Sequence, residues 1–189
     1  PAQRVEGEGE KVQVKVCGLM GGHSGAEIDK NRANANKLMG RFLYGLKKKA
    51  DYAVISLTGG QKDNAITREC ITEFLTDAPE EVKAYAKELQ EQIREEYTGS
   101  DENITIEVKE NGVETAQVLH PTSQEKIVFY LQNVPFGIQK MSGTIKGLVE
   151  SSSNIGILRL DEDELFASSS VRSSVDAACS AISDKIEYF

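Results

Sequence analysis

The chain has 189 residues, with 22 Lys and Arg against 30 Asp and Glu and a net charge of −8. This acidic balance argues against nucleic acid, whose phosphates call for cationic excess. It holds no apolar run near the roughly 20 residues of a membrane span, and Pro1 to Glu10 is polar, without the apolar stretch of a signal peptide.

The apolar content supports a core for one ordinary domain or two small ones. Val12, Val14 and Val16 alternate with Gln13 and Lys15, a period-two strand. The glycine run Gly21-Gly22-His23-Ser24-Gly25 follows it. Ala35, Leu38, Met39, Phe42, Leu43 and Leu46 then recur at helical spacing and predict a helix from about Lys30 to Lys49. The basic cluster Lys47-Lys48-Lys49 ends that helix, where it complements the helix dipole. Tyr52 to Leu57 reads as a strand closed by Thr58-Gly59-Gly60, and Ala65 to Leu75 as another strand.

Asp77 and Pro79 open a second amphipathic helix, which Gly99 to Glu102 breaks. Ile104, Ile106 and Val108 alternate as a fourth strand, and Asn111-Gly112 is a turn signal. The order β-α-β-β-α-β is the ferredoxin-like arrangement. Beyond Pro121, Thr122 and Glu125 fit a capping box. Strand character runs from Phe136 to Val149, interrupted at Ser142-Gly143. Asn154 to Leu160 and Leu165 to Arg172 form a hairpin around Asp161-Glu162-Asp163. A helix through Ala178, Ile182 and Ile186 closes the chain. The expected fold class is α+β: an antiparallel sheet with helices on one face, a ferredoxin-like half at 1–111, and a related α/β half at 112–189 that reads as truncated. The uncapped last helix reads as the end of an excised fragment.

Cys17, Cys70 and Cys179 are odd in number and far apart, with no C-x-x-C, and read as buried or free thiols of a reducing cytoplasm. No metal site is expected within the chain, since His23 and His120 are its only histidines and no zinc-ligand spacing occurs. Ser24 does not fit a nucleophile elbow, because Ala26 stands where the last glycine belongs. Three binding candidates remain. His23, presented by glycines, can donate a hydrogen bond or take a proton near neutral pH; the alternative is a strand-to-helix turn containing a histidine. Asn64, at a strand start, can hold a peptide backbone or simply form a turn. Arg172, among small residues, can pair with a carboxylate or be a surface arginine on an edge strand.

Gly18-Leu19-Met20-Gly21-Gly22-His23-Ser24-Gly25, with Arg32-Ala33-Asn34-Ala35 and Lys37-Leu38, closely resembles the aminoacyl-histidine dipeptidases. So do Asn64 to Glu69, Gly147 to Asn154 and Val171 to Ser174, in the family's order. Asn31 departs where the family usually has Gly, and Thr67 where it has Pro. The resemblance implies a cytoplasmic di-zinc peptidase of Xaa-His dipeptides, of which this chain is the lid or dimerisation domain only. The two zinc ions, their ligands and the general base then belong to a catalytic domain outside the chain. By the same resemblance, His23 stabilises the oxyanion of the tetrahedral intermediate, Asn64 holds the substrate backbone and Arg172 binds its C-terminal carboxylate. The implied partners are a dipeptide, the catalytic domain and a second copy in a homodimer. The competing readings are a pure dimerisation module, which needs no His23, and a ferredoxin-like small-molecule-binding domain.

Overall fold

The computed structural model describes residues 1–189. Strand β1 (Arg4–Cys17) is longer than the valine alternation alone indicates. The two-residue strand β2 (Gly22–His23) follows, then a single 3-10 turn at Ile28–Lys30 and helix α1 (Ala35–Leu46). The predicted helix from Lys30 therefore starts five residues late. Asn31 adopts a left-handed conformation, φ 52°, which stops the first turn from continuing. Asparagine tolerates that region better than most residues. Asn34 then caps α1 by accepting from the N–H groups of Asn36 and Lys37.

Strands β3 (Ala53–Gly59), β4 (Ala65–Ile66) and β5 (Cys70–Thr76) come next. The single strand expected over Ala65 to Leu75 is thus two. The Thr67 carbonyl leaves the sheet to accept from Ala35 N–H at 2.9 Å, and the backbone turns there. Helix α2 (Pro79–Glu96) begins with proline in its first turn, as predicted. Strand β6 (Thr105–Leu119) runs straight through Asn111-Gly112. The expected turn is a bulge: β1 advances two residues from Glu10 to Val12 while β6 advances three, from Glu110 to Val113, with Gly112 at φ 87°.

Helix α3 (Pro121–Asn133) is capped not by Thr122 but by His120, whose Nδ1 accepts from Thr122 N–H at 3.2 Å. Strands β7 (Gly137–Met141), β8 (Val149–Leu160) and β9 (Leu165–Ser173) and helix α4 (Asp176–Tyr188) complete the chain.

The sheet is antiparallel, in the order β6-β1-β5-β3-β8. Strand β9 pairs with β8 from Ser151 to Leu160. Strands β3 and β7 share the opposite edge of β8, at its two ends. One sheet therefore spans both expected halves, and β6 runs across the boundary expected at Asn111. Val12, Val14 and Val16 are fully buried, with Phe42, Leu43, Leu46, Phe74, Leu89 and Ile93, between the sheet and its helices. Helix α1 lies between α2 and α3, and Phe129 of α3 meets Phe189 beyond α4, ring centroids 5.8 Å apart. Lys37 ties α1 to α3: its ammonium donates to the carbonyls of Leu131, Gln132 and Val134, and burial lowers its pKa to about 8. The opposite face of the sheet is polar, with Lys11 paired to Glu73 and Glu114 and Lys15 to Glu69. This is the alternation a half-exposed antiparallel sheet requires.

Candidate functional site

His23, Asn64 and Arg172 lie far apart in sequence and come together around the short β2–β4 ladder. His23 pairs with Ala65 and Gly22 with Ile66. Ser24 N–H donates to the Asn64 carbonyl at 2.9 Å, so Asn64 stands beside the histidine loop. Arg172 reaches the same loop from β9. A Cβ on Gly25 would stand 2.9 Å from its Nε, so only glycine lets the guanidinium lie against this turn. All three side chains are exposed.

The His23 imidazole has a fixed orientation. Its Nδ1 accepts from Gly25 N–H at 3.1 Å and from Ala26 N–H at 3.0 Å. A nitrogen that accepts carries no proton, so the neutral ring bears its proton on Nε2. The ring is thereby a donor on its outward side. Behind it, His23 N–H donates to Glu27 Oε2 at 2.8 Å. Glu27 Oε1 pairs with Arg32 Nη1 at 2.8 Å, and the same Nη1 donates to the Gly21 carbonyl at 2.7 Å. The His23 N–H, and then the Arg32 guanidinium, hold the Glu27 carboxyl below the usual carboxylate range.

A buried amide network supports the loop that carries Asn64. Asn154, fully buried, donates to the carbonyls of Asp63 at 3.2 Å and Ala65 at 2.9 Å. Its Oδ1 accepts from Asn34 Nδ2 at 3.0 Å, the side chain that caps α1. Asn36 Nδ2 bonds Thr67 Oγ1 at 3.2 Å, and Thr67 Oγ1 donates to the Gly156 carbonyl at 3.0 Å. The Thr67 hydroxyl is thus used inside the network. Sequence reasoning missed Glu27, Arg32, Asn34 and Asn154 as parts of the site. An asparagine just before a helical run is a cap signal, and it was available for Asn34. No local signal gives Asn154 this role, since its partners Asn34, Asp63 and Ala65 are all distant in sequence.

No group of three or more His, Cys, Asp and Glu side chains converges to hold a metal ion. The residues of this chain therefore do not fit a di-zinc centre. Burial pushes the Cys17 and Cys70 thiols up, which leaves little thiolate for ligation or attack. No helix is long and apolar enough to cross a membrane.

Residues 14–101 match the peptidase dimerisation domain. The chain is 29% identical over 170 residues to the cytosol non-specific dipeptidase of Escherichia coli (strain K12), covering 89% of this chain and 35% of that protein. It superposes on the crystal structure of aminoacylhistidine dipeptidase from Vibrio alginolyticus with a TM-score of 0.89 and 26% identity, over 99% of this chain and 42% of the other. The chain thus spans well under half the length of either relative. Matched along nearly all of its own residues but to only part of each relative, it resembles the dimerisation domain of the aminoacyl-histidine dipeptidases and not the whole enzyme.

Proposed function

We propose that this chain is the lid of a cytoplasmic di-zinc dipeptidase that hydrolyses Xaa-His-type dipeptides, and that it supplies substrate and transition-state contacts to a separate catalytic domain. The observation that carries the reading is the pair of backbone N–H groups, of Gly25 and Ala26, that meet His23 Nδ1. A neutral imidazole with Nδ1 occupied and its Nε2 proton free can only donate outward. A preorganised donor of this kind stabilises a developing oxyanion without reorganising. Arg172 beside it offers a planar fork suited to the carboxylate of a dipeptide's C-terminal residue. The exposed amide of Asn64 would hold the substrate backbone. The zinc ions of the catalytic domain would activate the attacking water, and this chain's residues bind, orient and donate.

Pairing of two copies belongs to the same proposal. A pure dimerisation module is the second reading, favoured by the domain description that residues 14–101 match and by the position of β6 at the sheet edge. Assembly alone has no use for a fixed His23 donor, so variants at the site separate the two readings.

Two assays test the proposal. The chain alone, supplied with zinc, is expected to release no product from dipeptides above a chelated control; turnover would place the chemistry inside the chain and overturn the division of labour. In the full enzyme, Arg172→Ala is expected to raise KM by about tenfold to a hundredfold with little change in kcat, since losing a charge-assisted hydrogen bond removes binding common to ground and transition states. An unchanged KM would return Arg172 to the status of a surface arginine.

A further inference from the structure

The His23 loop is held by a device that the donor role alone does not explain. Its five residues from Gly21 to Gly25 contain three glycines, so the free backbone would sample many conformations. Glu27 restrains it twice: its Oε2 accepts from His23 N–H, and its own N–H donates to the His23 carbonyl at 3.0 Å. Its other oxygen holds Arg32, which reaches back to the Gly21 carbonyl. The peptide groups on both sides of Gly22 are therefore fixed. Gly22 sits at φ 137°, and a Cβ there would stand 2.5 Å from Arg32 Nη1 and 2.7 Å from Glu27 Oε2, so the clamp closes only over glycine. An exposed ion pair contributes little stability in itself. Here one carboxylate is spent on the backbone of the one residue whose ring tautomer matters.

We infer that Glu27, braced by Arg32, is a positioning residue that sets the His23 tautomer by holding the loop so that the N–H groups of Gly25 and Ala26 meet Nδ1. The value of this arrangement rests on the proposed donor role of His23, but its geometry does not. Without Glu27, the His23 N–H loses its acceptor, the loop opens and the ring proton distributes over both nitrogens.

The chain has only two histidines, so imidazole 1H–15N correlation spectra of the 189-residue protein resolve the question. His120→Asn removes the second ring and keeps a good N-cap on α3. In that background, at about pH 8 where an ordinary imidazole is neutral, His23 is expected to show a single tautomer with the proton on Nε2. Glu27→Ala is expected to give a mixture of tautomers, with amide exchange at Gly25 and Ala26 at least about tenfold faster and with Val14 and Val16 as protected as before. Glu27→Gln keeps an acceptor for the His23 N–H and is expected to retain the Nε2–H form. An unchanged tautomer and unchanged exchange in Glu27→Ala would overturn the inference. If Glu27→Ala loses protection at Val14 and Val16, Arg32→Ala is measured by the same two readouts, and an unchanged tautomer and exchange there would overturn the inference equally. All of these come from the chain alone, so a failed clamp leaves the oxyanion role standing, and a failed oxyanion role leaves the clamp standing.

Discussion

In the full enzyme, His23→Ala is expected to lower kcat by about a hundredfold or more, on the order of 3 kcal/mol, with a much smaller change in KM. The asymmetry follows from what the side chain offers. In the proposed role, the Nε2 proton would meet a partner of full strength only when negative charge develops on the reacting carbonyl, so its loss would be felt in the transition state. Bound metal is expected to be unchanged, because His23 acts in this proposal as a donor and no cluster of metal-ligating side chains surrounds it. Steady-state kinetics with metal analysis checks both statements. A near-normal kcat would leave His23 as part of a turn, and loss of metal would mean that the ring supports a ligand.

The second large effect is structural. Asn154→Ala removes the donors to the Asp63 and Ala65 carbonyls and the acceptor for Asn34, all in a fully buried setting. Stranding those groups is expected to cost about 2–4 kcal/mol, read from the urea midpoint. Because Asn154 anchors the loop that carries Asn64, the Ser24 amide, which donates to the Asn64 carbonyl, is expected to exchange faster relative to Val14. An unchanged midpoint would show that the network is dispensable for the fold. A fall in stability with equal loss of protection at Ser24 and Val14 would show that it does not act on the site in particular.

The sequence announced elements wherever one periodicity dominated. The valines of β1, the apolar stripe of α1 and the proline start of α2 are local signals, and tertiary context agreed with them. It failed where a distant partner decides the conformation. Ala65 to Leu75 has strand character throughout, but Ala35 draws the Thr67 carbonyl out of line and splits it. Asn111-Gly112 supplies a positive φ, and β1 uses it for a bulge in a long strand instead of a hairpin. His120, not Thr122, caps α3, because Pro121 takes the first helical position.

The site shows the same division. His23 stood out because glycines surround a lone histidine between a strand and a helix. Asn64 and Arg172 were legible as candidates, but their convergence depends on a ladder of two residues per strand and on the absence of a side chain at Gly25. Glu27 and Asn154 have ordinary local contexts, and their partners appear only when the chain is folded.

The most direct test is a crystal structure of the full enzyme with a phosphinic dipeptide analogue, whose tetrahedral centre carries the charge of the intermediate. The account predicts His23 Nε2 at about 2.7–3.1 Å from a phosphinyl oxygen, with the Arg172 guanidinium on the analogue's carboxylate. An analogue bound with His23 and Arg172 both out of contact would contradict it.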